Sequence, residues 1–201
     1  MKKHAKSLYD WNPLAKRISE AIREVDTETP IIVSTMNWGH LDWLSSVVET
    51  KVPRTIYSVH YYEPYPYSSS AQAEFKDYRY PGRMKTDESH KDKEFVDKGW
   101  LDKEFLALDE FRRAHPDLPV ALTEFGPIRW KKNCEIYYGD VVSLFEKRGL
   151  NYAVWIWEPG AKPPEHNNWN FQFGPEEKSK ATIETSPPIE AIKKSWSRNA
   201  R

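Results

Sequence analysis

Hydrophobic residues first recur in this chain at helical spacing. Leu14, Ile18, Ile22 and Val25 fall on one face after Asn12-Pro13, which reads as an N-cap followed by proline at the first helical position. A helix packed through that face is predicted, closed by Pro30. The period then changes: Ile31-Ile32-Val33 is a short β-branched run of the kind buried in a parallel sheet, and a short helix is predicted from Leu41 to Val48. A second strand, Thr55 to Tyr61, follows Pro53 and opens into a long Tyr-, Ser- and Pro-rich loop reaching about Asp92. Leu101, Phe105, Leu108 and Phe111 mark the next helix, which ends before Pro116, and Leu118 to Thr123 gives a third strand. Tyr137, Val141 and Leu144 share a helical face that stops at Gly149, and Tyr152 to Trp157 is a fourth strand. Ser186-Pro187 caps a last helix carrying Ile189, Ile192 and Trp196.

One leading helix followed by four strand-helix units calls for a parallel α/β sheet, with no second domain in residues 1–201. A doubly wound sheet and a (β/α)8 barrel both accept that order. Barrel sites stand at the C-terminal strand ends, and those positions hold Asn37-Trp38, His60-Tyr61-Tyr62, Glu124 and Trp155-Ile156-Trp157. A nucleotide-binding sheet would carry a glycine-rich first turn, and neither GxGxxG nor GxxxxGK(S/T) occurs.

Composition narrows the chemistry. Thirty basic and thirty acidic residues cancel, so no overall field favours nucleic acid or an anionic membrane, and no apolar run approaches membrane-spanning length. Met1-Lys2-Lys3-His4 is basic but lacks the apolar stretch of an export signal. Cys134 is alone, which excludes an intramolecular disulfide and a CxxC site. The six histidines lack HExxH spacing and no GxSxG is present, so metal- and serine-hydrolase motifs are missing and no cofactor is implied. Aromatic residues make up 14% of the chain, with nine Trp and eleven Tyr, rings that fill a core or stack on the flat C–H faces of sugars.

Glu124 ends the third strand just before Phe125-Gly126-Pro127; a carboxylate there either faces a cleft or pairs with Arg129. His60 and Tyr62, two apart at a strand end, point the same way in an extended chain, as a wall of hydrogen-bonding groups or as satisfied interior polar residues. Trp155 and Trp157 share a face, to floor a sugar subsite or to fill the core, and Trp38 and Trp169 are further platform candidates. Lys85 to Lys98 reads as a solvated loop with the start of a helix.

Taken in order, these segments resemble glycoside hydrolase family 5. Ala21 to Asp26 with Pro30 to Val33 resembles that family's fourth helix and fifth strand, and Tyr57-Ser58-Val59-His60-Tyr61-Tyr62-Glu63-Pro64 its sixth strand. Leu122-Thr123-Glu124-Phe125-Gly126 is similar to the seventh strand, Tyr152 to Trp157 to the eighth, and Asn168 to Gly174 to the closing segment. The resemblance implies the C-terminal half, about four strand-helix units, of a (β/α)8 barrel. It implies Glu124 as the nucleophile of a retaining mechanism, Tyr62 as its hydrogen-bond donor, and His60 orienting sugar and acid/base. Trp155 or Trp157 would floor the reacting subsite, with Trp38 and Asn37 as further substrate contacts.

The family's general acid/base is a Glu after Asn at the fourth strand, and no Asn-Glu pair exists here; that carboxyl and the first four strands are expected to lie outside this chain. Glu63 and Glu158 follow site residues by one position and are expected to point away. The resulting expectation is an endo-β-1,4-glucanase acting on β-glucan or a related polysaccharide, without metal or cofactor, from a secreted protein. A non-catalytic β-glucan-binding half barrel and an inactive fragment are the alternatives. A homo-oligomer would cover the exposed sheet edges.

Overall fold

Asp10 opens the first helix, α1 (Trp11–Arg23), its side chain accepting from the Asn12 amide at 3.1 Å. Asn12 is therefore not the cap. It faces the 3-10 turn Leu41–Ser46 instead, donating to the Ser46 carbonyl at 2.9 Å and accepting from the Val48 amide at 3.0 Å, while Trp11 Nε1 donates to the Ser34 carbonyl at 2.7 Å. These anchors set the rotation of α1 so that the small residues Ala15 and Ser19 are buried. The predicted inward stripe is consequently half-exposed, with Ile18 at 45%, and Val25 lies beyond the helix and open to solvent. The computed structural model describes residues 10–157 and 164–198. Glu158 and the Met1–His4 segment lie outside the described residues.

Strand β1 (Ile31–Ser34) is followed by α2 (Met36–Gly39) and, after the 3-10 turn, by β2 (Thr55–Tyr61). β1 and β2 pair in parallel, Ile31 opposite Thr55 and Ser34 opposite Ser58, whose hydroxyls lie 2.6 Å apart. The stretch after β2, expected as one loop, contains α3 (Tyr65–Ser68), a 3-10 turn at Ala73–Phe75 and an antiparallel hairpin of β3 (Gly82–Met84) and β4 (Glu94–Val96). Its Tyr67, Phe75, Tyr78 and Tyr80 are buried, so its aromatic residues build a small core of their own.

The single helix expected over Leu101 to Phe111 is two, α4 (Lys98–Glu104) and α5 (Leu106–Ala114), which break at Phe105. Asp97 caps α4, accepting from the Trp100 amide at 2.9 Å, and all four of the expected apolar positions are buried. Next come β5 (Val120–Phe125), α6 (Cys134–Lys147), β6 (Asn151–Tyr152) and α7 (Pro187–Trp196). β6 has two residues where six were expected, because after Tyr152 the chain leaves the ladder, with one later bond from the Trp155 amide to the Phe125 carbonyl at 2.8 Å. Gly149 ends the α6 turn in the left-handed region, as its spacing predicts. The sheet runs β1-β2-β5-β6, an α/β arrangement with parallel pairing.

The chain divides into two units, Met1–His60 with Leu106–Thr123, and Tyr61–Phe105 with Glu124–Arg201. In the first, Tyr57 of β2 meets Phe111 of α5 edge-on at 6.3 Å beside buried Leu41, Leu44 and Leu108. In the second, Tyr61 stacks on Phe105 at 4.5 Å, and Phe145 of α6 meets Phe105 and Phe125 edge-on at 5.6 and 4.9 Å. α7 packs on α6 through buried Ile189 and Ile192.

Candidate active site

Along β5, Val120 and Leu122 are buried and Ala121 and Thr123 are not, the alternation of a strand with one covered face. The pattern then slips by one: Glu124 also stays partly exposed, and Phe125 is buried between Phe145 and Tyr138. Gly126 follows at φ +144°, where an added Cβ would stand 2.7 Å from Tyr138 Oη and 2.8 Å from the Trp155 carbonyl oxygen. Only hydrogen fits there, which lets the chain turn immediately behind the carboxylate.

Tyr62, one residue past β2, donates its phenol to Glu124 Oε2 at 3.1 Å. Burial, then the Glu124 charge, then the hydrogen bond itself push this phenol far above the usual tyrosine range. It is a fixed donor to a carboxylate, an arrangement worth about 1.5–3 kcal/mol for a bond to a charged group. The main chain around Tyr62 is also held: Ser68 Oγ donates to the Tyr62 carbonyl, and Tyr137 Oη donates to the Glu63 carbonyl at 2.7 Å.

Pairing of Glu124 with Arg129 is not what the buried guanidinium does. Arg129 Nε donates to the Asn167 carbonyl at 3.2 Å, Nη1 to Gly174 at 2.7 Å and to Glu176, and Nη2 to Glu177 and Ser179 at 2.8 and 2.9 Å. All five of its N–H donors thus have main-chain acceptors. Two residues on, Lys131 is 3% exposed, and its ammonium donates to the carbonyls of Ser70 at 2.8 Å, Phe75 at 3.3 Å and Pro66 at 3.4 Å. Burial pulls Lys131 down to about 8.

The tryptophans do not share a face. Trp155 meets His166 edge-on at 5.3 Å, whereas Trp157, 43% exposed, lies against Phe171 at 4.8 Å and Trp196 at 6.1 Å. Two-residue alternation holds only in an extended ladder, and β6 has ended before either residue. The peptide between Trp155 and Ile156 is cis, and the Ile156 amide donates to the Trp169 carbonyl at 3.4 Å. Trp169 thus borders Ile156, the residue after Trp155, through its main chain.

In the first unit His60 lies over Gly39, where a Cβ would stand 2.8 Å from the imidazole Cγ. Asn37, Trp38 and Gly39 all have positive φ, and the Thr35 hydroxyl closes the turn on the His40 carbonyl at 3.0 Å. This turn holds Trp38 89% exposed. Three groupings therefore replace the list of candidates: Tyr62 with Glu124, His60 beneath the turn of Asn37 and Trp38, and Trp155 beside His166. Sequence reasoning missed Ser68, Lys131 and His166, and took Arg129 only as a partner for Glu124. The run Arg129-Trp130-Lys131-Lys132 has the look of a solvated surface, and nothing local signals that two of its cations are buried.

These features place the chain among α/β proteins that carry polar and aromatic groups at the ends of parallel strands. Comparison with known proteins gives the family: residues 2–161 match the cellulase family, glycosyl hydrolase family 5, and the chain belongs to it. It is 25% identical over 170 residues to Endoglucanase C of Acetivibrio thermocellus, covering 72% of this chain and 48% of that protein, and it matches Endoglucanase C307 of Clostridium sp. (strain F1) to the same extent. The chain thus spans about half the length of the curated relatives it matches. Among solved structures, Thermotoga maritima Cel5A in complex with cellobiose is similar with a TM-score of 0.66 at 21% identity, over 90% of this chain and 54% of that one. The cellulose synthase subunit Z of Clostridioides difficile is similar with a TM-score of 0.60 at 20% identity, over 74% and 48%. At these identities the structures show a shared fold.

Proposed function

We propose that this chain carries the nucleophile side of a retaining β-glycosidase site, on the C-terminal half of a (β/α)8 barrel, and that its substrate is a β-1,4-glucan. The observation that carries the proposal is the hydrogen bond from Tyr62 to Glu124. A carboxylate held by a buried phenol keeps one orientation and stays available as a nucleophile. Glu124 attacks the anomeric carbon, the bond to the leaving oxygen breaks with its electron pair, and water later hydrolyses the glycosyl ester. Trp155, rather than Trp157, floors the reacting subsite: its amide is bonded to the residue after Glu124, whereas the Trp157 ring rests on Phe171 and Trp196. In the first unit, His60, Asn37 and the exposed Trp38 form a sugar-binding grouping of their own. The endoglucanase names of the relatives support glucan as the substrate class.

A retaining pair has its second carboxyl about 5–5.5 Å from the first. Glu63 is poorly suited to that role, because its Oε2 accepts from the Tyr65 amide at 3.2 Å, turned onto its own turn. The nucleophile can be tested without that acid. A dinitrophenyl β-cellobioside fluorinated beside the anomeric carbon expels its phenolate unprotonated and leaves a long-lived glycosyl ester. Peptide mapping is expected to find the fluorocellobiosyl adduct on Glu124, none in Glu124→Gln, and slower labelling in Tyr62→Phe. Absence of adduct in folded protein, or an adduct on another residue, rejects Glu124 as nucleophile. In that case saturable quenching of Trp fluorescence by cello-oligosaccharide would leave the binding-only reading.

A further inference from the structure

Tyr62 reaches Glu124 from the end of a strand, so the direction of its phenol depends on what fixes the chain just after it. That chain is α3 and the three serines at its end, and its bonds run to the segment behind Glu124. Ser68, fully buried, works at both ends: its hydroxyl donates to the Tyr62 carbonyl, and its own carbonyl accepts from the Ile128 amide at 2.7 Å. Lys131 gathers the carbonyls of Pro66, Ser70 and Phe75 around one buried ammonium, and the Tyr67 hydroxyl donates to the Lys132 carbonyl at 3.0 Å. Ile128 and Lys131 sit four and seven residues after Glu124. The stretch leaving the carboxylate is therefore bonded to the stretch leaving the phenol.

We infer that Ser68 and Lys131 are positioning residues for the Tyr62–Glu124 pair: they couple the two strand ends and hold phenol and carboxylate in register. Ser68 acts on the Tyr62 main chain and Lys131 on the carbonyls of the turn, and neither needs to touch substrate. A lysine suits this task because three N–H donors on one atom can satisfy three carbonyls that converge from different points of a turn, which no apolar or singly donating side chain could do. The serine adds the direct link, since its hydroxyl bonds the carbonyl of Tyr62 itself. Loss of either would let the turn shift and swing the phenol away from Oε2.

This inference rests on the reading of Glu124 as nucleophile, and the test separates the two. The fluorinated cellobioside is applied to the wild-type chain and to Ser68→Ala, Lys131→Met and Lys131→Arg, with hydrogen exchange followed by mass spectrometry on the same proteins. In Ser68→Ala and Lys131→Met the maximal labelling rate is expected to fall on the order of tenfold or more, the scale of a sub-ångström to one-ångström misplacement, with half-saturation changed much less. Exchange should rise in residues 62–75 while α6 and α7 keep wild-type protection. Lys131→Arg, which retains the donors, should recover most of both. Labelling within twofold of wild type, or exchange raised evenly over the whole chain, overturns the inference. If the wild-type chain does not label at Glu124, the functional reading has failed; exchange in residues 62–75 then still decides whether Ser68 and Lys131 hold the turn.

Discussion

Gly126→Ala places a methyl group directly behind the proposed nucleophile, and its cost can be worked from two separate sources. The first is the backbone. At φ +144° an L residue sits in a region that glycine alone occupies readily, a strain of about 1–3 kcal/mol. The second is space: the methyl would lie 2.7 Å from Tyr138 Oη and 2.8 Å from the Trp155 carbonyl, and overpacking of this kind costs about 1–3 kcal/mol. The sum, about 2–6 kcal/mol, is a large part of the 5–15 kcal/mol or so that holds a typical domain together. With a urea m value of roughly 2 kcal/mol per molar, the unfolding midpoint should drop by about 1–3 M. A double-mutant cycle isolates the oxygen. Tyr138 Oη has no hydrogen-bond partner among the described residues, so Tyr138→Phe alone should change stability by about 1 kcal/mol or less. In the Gly126→Ala background the same change removes one of the two clashing atoms and should restore about 1–2 kcal/mol. Urea melts followed by fluorescence and circular dichroism measure all four proteins. Additivity within about 0.5 kcal/mol, or a loss below about 1 kcal/mol for Gly126→Ala, would refute the close approach.

Three further outcomes are expected. Burial raises Tyr61, Tyr67, Tyr137 and Tyr138 well above the usual range, so above about pH 10 the unfolded chain releases phenolic protons that the folded chain retains, and stability falls as pH rises. Lys131 has the opposite sign: between its folded value of about 8 and its unfolded value near 10.4 the unfolded chain holds the extra proton. The Cys134 thiol, pushed up to about 12 by burial, offsets that gain above about pH 8.5, so urea midpoints should stay nearly level from pH 8 to about 10 and fall steeply beyond it, and a steep decline from pH 8 upward would contradict the Lys131 assignment. Cys134 is buried and its thiol is pushed up to about 12, so a thiol-specific disulfide reagent should react with it only as the chain unfolds; fast reaction in native buffer would show that the site opens. Finally, Ile18→Glu on the exposed side of α1 should shift stability by no more than about 0.5 kcal/mol, whereas Ile192→Ala beneath α7 should cost about 2–5 kcal/mol, measured by the same melts.

Strands were legible where their signal was continuous: Thr55 to Tyr61 was bounded correctly, and the β-branched run at Ile31 is β1. The helix face of α1 was misread because hydrophobic spacing ignores what anchors a helix; Trp11 and Asn12 turn it toward Ala15 and Ser19. The segment after Tyr62 was misread because tyrosines and prolines look like loop residues until they are seen to pack on one another. Glu124 and Tyr62 could be named because strand ends are visible in sequence, and their hydrogen bond joins residues that are 62 apart. Lys131 and Arg129 were beyond reach: their acceptors are backbone carbonyls, and every residue in a sequence carries one.

Arg129 has a consequence of that kind for how this protein can change. Its guanidinium holds the course of residues 167–179 through their carbonyls, and the one ring of that stretch it lies over is Phe173, at 5.9 Å, among the described residues. Substitutions along that stretch other than at Phe173 can thus accumulate without loosening its attachment, as long as the main chain keeps its path. This stretch is in that sense a replaceable part on a fixed mount. Exchanges there put little of the fold at risk, while a single change at Arg129 would release all of the stretch at once.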